Sequence, residues 1–92
     1  MNLVVEFLGL SRGLAQTPEA SISVSEGASY RDALAATAER YPALIGPVLQ
    51  PRTYDLAPAL MMNVNGRYAV RDLDAPAADG QRLIIMFLEA GG

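Results

Sequence analysis

Ten carboxylates, seven arginines and a set of hydroxyls are the reactive groups that this 92-residue sequence offers. Cysteine, histidine and lysine are absent. The usual nucleophiles, metal ligands and neutral-pH bases are therefore missing. Chemistry falls to carboxylates, hydroxyls or the chain end. Asp72 and Asp74 bracket Leu73, but an i, i+2 acidic pair does not make a metal site. Glu89 has no second acid or metal beside it, and a lone carboxylate does little for acyl transfer. The stretch that stands out is Leu83 to Gly92, LIIMFLEAGG: an apolar run, one carboxylate, two glycines. Glycine adds nothing to a core and loses the most entropy when ordered. A Gly91-Gly92 pair has its use in being small, extended and mobile, or it has none.

The composition, 51% hydrophobic and 18% charged, is that of a single globular domain over 1–92 with a short tail from about 89. A net charge of −3 repels a phosphate backbone, so nucleic acid is not an expected partner. No apolar segment approaches the ~18 residues that cross a bilayer. The opening MNLVVEFLGLSR lacks the positive n-region of a signal peptide. With no cysteine to oxidise, the expectation is a soluble, cytoplasmic protein with no membrane partner. The arginine-only cations fit a GC-rich coding bias. They also leave no side-chain amine on which the chain could itself be acylated.

The elements follow from the apolar pattern. LVVEFL, Leu3–Leu8, is a strand with Leu3, Val5 and Phe7 inward and Val4, Glu6 and Leu8 outward. GLSRGLAQTPEA reads as a connection longer than a tight turn. ASISVSEG alternates, with Ala20, Ile22 and Val24 opposite Ser21, Ser23 and Ser25, as a half-buried edge strand does. SYRDALAATAERY is a helix with Ser29 as N-cap and Asp32 completing a capping-box variant. Its buried face is Tyr30, Leu34, Ala38 and Tyr41, with Ala33 and Thr37 beside them, and Pro42 ends it. Residues 42–59 form an ordered loop with a short turn near Ala43–Ile45, pinned by Leu44, Ile45, Val48 and Leu49.

A strand Leu60–Val64, an Asn65-Gly66 turn and a returning strand Tyr68–Val70 make a hairpin. Asp79-Gly80 then turns into a last strand, Arg82–Leu88, apolar on both faces: Leu83, Ile85 and Phe87 against Ile84, Met86 and Leu88. Such a strand belongs in the middle of a sheet, paired in parallel with the first strand. The fold class is α+β, a mixed four- to five-stranded sheet on one main helix. On the second face, Ile84, Met86 and Leu88, extended by Met61 or Met62, form an apolar surface able to dock a partner. Arg67, Arg71 and Arg82 read as solvated surface residues, with pairing to acidic residues of a partner as the alternative.

In VVEFL, SYRDALAATAERYP, NVNGRYA and DGQRLIIMFLEAGG, taken together, the chain resembles the ubiquitin-like (β-grasp) sulfur carriers of the MoaD/ThiS family. The small subunit of molybdopterin synthase is the best-known member. The resemblance implies a carrier that is not itself an enzyme and binds no cofactor. An adenylating, ubiquitin-activating-like partner would use ATP on the α-carboxylate of Gly92, with Gly91 beside it. Sulfur would then replace AMP as a thiocarboxylate for a large synthase subunit, most simply in molybdopterin formation. Thiamine, cysteine and tRNA thiolation are alternatives, as is conjugation to lysines as a protein modifier. Residues 42–59 are longer than in the compact thiamine carriers. Ile84, Met86, Phe87, Leu88, Glu89 and Ala90 would contact the partner. Five residues from Leu88 reach about 17 Å when extended.

Overall fold

The structure, a computed structural model, describes residues 1–88. These form β1 (Asn2–Phe7), α1 (Leu10–Ala15), β2 (Glu19–Ser23), α2 (Tyr30–Arg40), a 3-10 turn (Pro42–Leu44), β3 (Leu60–Val64), β4 (Tyr68–Ala69) and β5 (Arg82–Phe87). The sheet order is β2-β1-β5-β3-β4. β5 runs parallel to β1 and antiparallel to β3, so the last strand is central. A mixed sheet packed on a main helix is the β-grasp plan expected from the sequence.

Alternation decides which residues reach the core. Leu3, Val5 and Phe7 of β1, Leu83 and Ile85 of β5, and Met62 and Val64 of β3 are buried on the face toward α2. The helix returns Tyr30, Ala33, Leu34, Thr37 and Ala38. Thr37 is tolerated there because its hydroxyl donates to the Ala33 carbonyl at 2.8 Å, leaving no buried donor unpaired. Tyr41 meets the Phe7 ring edge-on, centroids 5.4 Å apart. Both halves of the capping box form: Asp32 N–H donates to Ser29 Oγ at 3.0 Å, and Ser29 N–H donates to Asp32 Oδ2 at 2.9 Å.

Several expectations are corrected. The connection after β1 holds a six-residue helix, α1, which buries Ser11 and Ala15. Glycines at 9 and 13 hid it, since a turn and a half cannot show a helical period. Residues 42–59 are ordered on buried Leu44, Val48 and Leu49, but Ile45 is 38% exposed because the 3-10 turn begins at Pro42 and directs it outward. β4 ends at Ala69, although Val70 N–H still donates to Met62 O at 2.8 Å. β5 ends at Phe87, one residue short of Leu88. The Asn65-Gly66 turn has both central residues at positive φ, 56° and 71°, which is the pairing a tight hairpin needs.

Side chains tie the periphery down. Arg31, on α2, donates from Nε to Asp74 Oδ1 at 2.8 Å and from Nη1 to Asp55 Oδ1 at 2.7 Å and the Thr53 carbonyl at 2.5 Å. It thereby clasps two loops against the helix. Strand β2 is an edge, as its serine alternation suggested. Arg40 Nη1 donates to the Ser21 carbonyl at 2.5 Å, and Thr17 Oγ1 donates to the Glu19 carbonyl at 3.1 Å.

Candidate docking face and tail root

The sheet's outer face carries the residues expected to meet a partner. Ile84 and Met86 are half-buried there, and Met61 pairs with Met86 across the β3–β5 ladder. Val4 is half-buried and Leu8 exposed on the same side. Pleating puts every second residue of three adjacent strands on this surface, so the apolar set comes from β1, β3 and β5 together. Met62 does not extend it. The residue is 0% exposed, one pleat away from Met61, and belongs to the core.

Two polar features interrupt the face. Arg82 Nη1 donates to Glu6 Oε1 at 2.8 Å and to Glu19 Oε1 at 3.1 Å, linking β5 to its neighbour β1 and to β2 beyond it. Bonds to Glu19 first, then Glu6, hold the guanidinium above its ordinary value. Arg82 is therefore paired inside the molecule, while Arg67 and Arg71 are exposed. Asn63, opposite Ile84 in the ladder, is the second feature. Its Oδ1 is the one buried side-chain polar atom without a hydrogen-bond partner among the described residues. The alternation of LMMNV places Asn63 beside Met61 on this face. The unpaired oxygen, however, depends on neighbours that no local pattern specifies.

The face ends where the chain leaves it. Phe87 falls on the inward side by alternation, with Leu83 and Ile85, yet it is 50% exposed. The core stops short of it. β1 follows β5 only until Leu8 N–H, which donates to Ile85 O at 3.2 Å. At Gly9, φ 57° and ψ −124°, the first strand turns away into α1. The Phe87 ring lies in the space this opens: a Cβ on Gly9 would stand 2.9 Å from ring atom Cε2 and 3.3 Å from Cδ2. On the other flank, Leu88 N–H donates to the Ala59 carbonyl at 2.9 Å, and its side chain is 54% exposed. Neither Gly9 nor Ala59 was marked by the sequence as part of this region. The glycine before a short helix was the available signal. Glu89, Ala90, Gly91 and Gly92 lie outside the described residues.

Among the described residues, no three acidic side chains gather where they could hold a metal ion. Asp72 and Asp74 serve their own loop instead, with Asp74 N–H donating to Asp72 Oδ1 at 2.9 Å. No helix of the described chain is long and apolar enough to cross a membrane.

The sequence matches no protein-family model and no curated protein. Its structure is similar to SAMP1 from Haloferax volcanii, with 23% identity, a TM-score of 0.84 and coverage of 100% of both chains. A putative molybdopterin converting factor, subunit 1, from Pyrococcus furiosus gives 26% identity and a TM-score of 0.73, over 92% of this chain and 94% of that one. A chain of the Amycolatopsis orientalis BexX/CysO complex gives 20% and 0.75, over 98% and 99%. The structure therefore matches the ubiquitin-like β-grasp superfamily that these proteins share, and it does not single out the small subunit of molybdopterin synthase within it.

Proposed function

We propose that this protein is an acyl carrier of the sulfur-carrier and ubiquitin-like modifier kind, working through the α-carboxylate of Gly92. A carboxylate is a poor electrophile. An adenylating partner joins it to AMP from ATP, releasing pyrophosphate, and the mixed anhydride is then open to attack. A sulfur nucleophile displaces AMP and leaves a thiocarboxylate; a lysine amine displaces it and leaves an isopeptide. The observation that carries this reading is the full-length likeness to a small archaeal modifier protein, with a TM-score of 0.84. The tail root supports it. β5 delivers the chain to the sheet's rim at Leu88, and residues 89–92 add at most about 14 Å of reach. Gly91 and Gly92 have no Cβ to clash in a narrow channel. The apolar outer face of Ile84, Met86 and Met61, continued by Leu88, is the docking surface for the adenylating partner.

The acceptor separates two forms of this function. Likeness to the Pyrococcus furiosus protein supports sulfur delivery, with molybdopterin formation as its narrowest version. The higher TM-score with the archaeal modifier favours conjugation to proteins. Incubation of the full chain with the source organism's adenylating enzyme, ATP and a sulfur donor, followed by intact-mass measurement, is expected to show a C-terminal thiocarboxylate. Gly-Gly remnants on cellular lysines would mark the conjugating form. Deleting Gly92 is expected to abolish both products while leaving thermal unfolding unchanged. Full cellular function in that deletion variant would overturn the carrier reading.

A further inference from the structure

Resting on the carrier reading above, we infer that Gly9 is a positioning residue for acyl activation: its bare Cα seats the Phe87 ring, and the seated ring fixes where residues 89–92 begin. Three observations converge on this pair. Gly9 has φ 57° and ψ −124°, a combination that L side chains avoid. The same residue lies so near the ring that a Cβ would come within 2.9 Å of it. The ring itself is half-exposed and beyond the core, so core packing alone does not account for its placement. Backbone shape thus favours glycine here, and a Cβ would push the ring off its seat, at a point with no other assigned role.

The seat acts on the strand end. Leu88 is held on one flank by its N–H bond to the Ala59 carbonyl, and Phe87 is held on the other by its contact with Gly9. With both flanks fixed, the last strand residue cannot peel from the sheet, and the tether starts at a set point and in a set direction. Without the ring, β5 is free to fray by one or two residues. The tether then lengthens and its direction spreads. A longer tether lowers effective concentration only modestly. Loss of orientation at the reacting carboxylate costs much more, because small misplacements slow a positioned reaction by one to two orders of magnitude. The seat therefore governs the rate after docking and leaves docking itself little changed.

ATP-dependent adenylate formation by the source organism's adenylating enzyme, measured against carrier concentration, separates these effects. Phe87→Ala is expected to lower kcat about tenfold with KM within about twofold of the unsubstituted protein. Phe87→Tyr keeps the ring, so it should retain kcat within about twofold. Gly9→Ala should also lower kcat; because it strains the backbone, its thermal unfolding is recorded alongside, and Phe87→Ala carries the test if it unfolds. Ile84→Glu, on the docking face, should instead raise KM. A raised KM with unchanged kcat in Phe87→Ala would overturn the inference, since the ring would then be a simple partner contact. So would unchanged values of both. Failure of the carrier reading looks different: the unsubstituted chain itself would form no adenylate.

Discussion

The two faces of one sheet, built from the same strands and separated by a single pleat, live under different rules. The inner face sets Leu3, Val5, Phe7, Met62, Leu83 and Ile85 against α2 and buries all of them. The outer face sets Val4, Met61, Ile84 and Met86 beside one ion bridge and one unpaired amide oxygen, and the described residues leave it uncovered. Each side also holds one arginine between two carboxylates. Arg31 fastens loops distant in sequence to the helix. Arg82 spans strands that the ladder already joins. The inner side is organised to hold the molecule together, and the outer side tolerates groups that contribute little to folding. On the proposed carrier reading, this apolar outer surface is the one available for contact.

Truncations on the two faces should break this contrast open. The largest effect belongs to Phe7→Ala, which leaves a void under α2 and should cost about 3–5 kcal/mol in denaturant unfolding. Met86→Ala, with its side chain already half in solvent, should cost less than about 1 kcal/mol by the same measurement. Equal losses would mean that the outer face is as structural as the inner one. Asn63→Leu should go the other way and raise stability by about 1 kcal/mol, because it removes a buried acceptor that has no donor. Ser29→Ala breaks the capping box and should lower stability by about 1 kcal/mol.

The smallest effect is pH-dependent. Hydrogen bonds from Arg31 hold the Asp55 and Asp74 carboxyls below their ordinary value of 3.8 in the folded chain. The unfolded chain therefore binds protons first as pH falls. The clasp contributes fully above that ordinary value and loses its contribution as pH drops through the lower folded values. Both carboxylates are solvent-exposed, so screening keeps the effect small. Arg31→Gln should flatten the melting temperature against pH profile below about pH 4. A profile as steep as that of the parent protein would show that the clasp is not what senses acid.

Much of this architecture was legible because its signals are local. Ser29 with Asp32, Asn65 with Gly66, and the alternation of ASISVS each specify an element within a few residues. A last strand apolar on both faces could only be central. What escaped depended on ends and on distance. α1 has too few residues to show a period. Phe87 obeys the alternation of its strand but lies past the point where the core stops. Ile45 turned outward because its 3-10 turn began earlier, at Pro42. The Phe87 seat, the Arg31 clasp and the unpaired oxygen of Asn63 each join segments far apart in the chain, and no window of sequence contains them. The tail residues could be read as chemistry only through their types, whereas the point from which they depart is a property of the fold.

The side chains lying along β2 have one more effect. A free strand border is a template on which another polypeptide can add itself, hydrogen bond by hydrogen bond. By occupying the Ser21 carbonyl, Arg40 removes one rung from that template, and Thr17 removes another at Glu19. Stacking of copies into a growing ribbon is thereby discouraged at the one long border the sheet leaves open. Arg40 thus shields this border from a position that neither the core nor the tail requires.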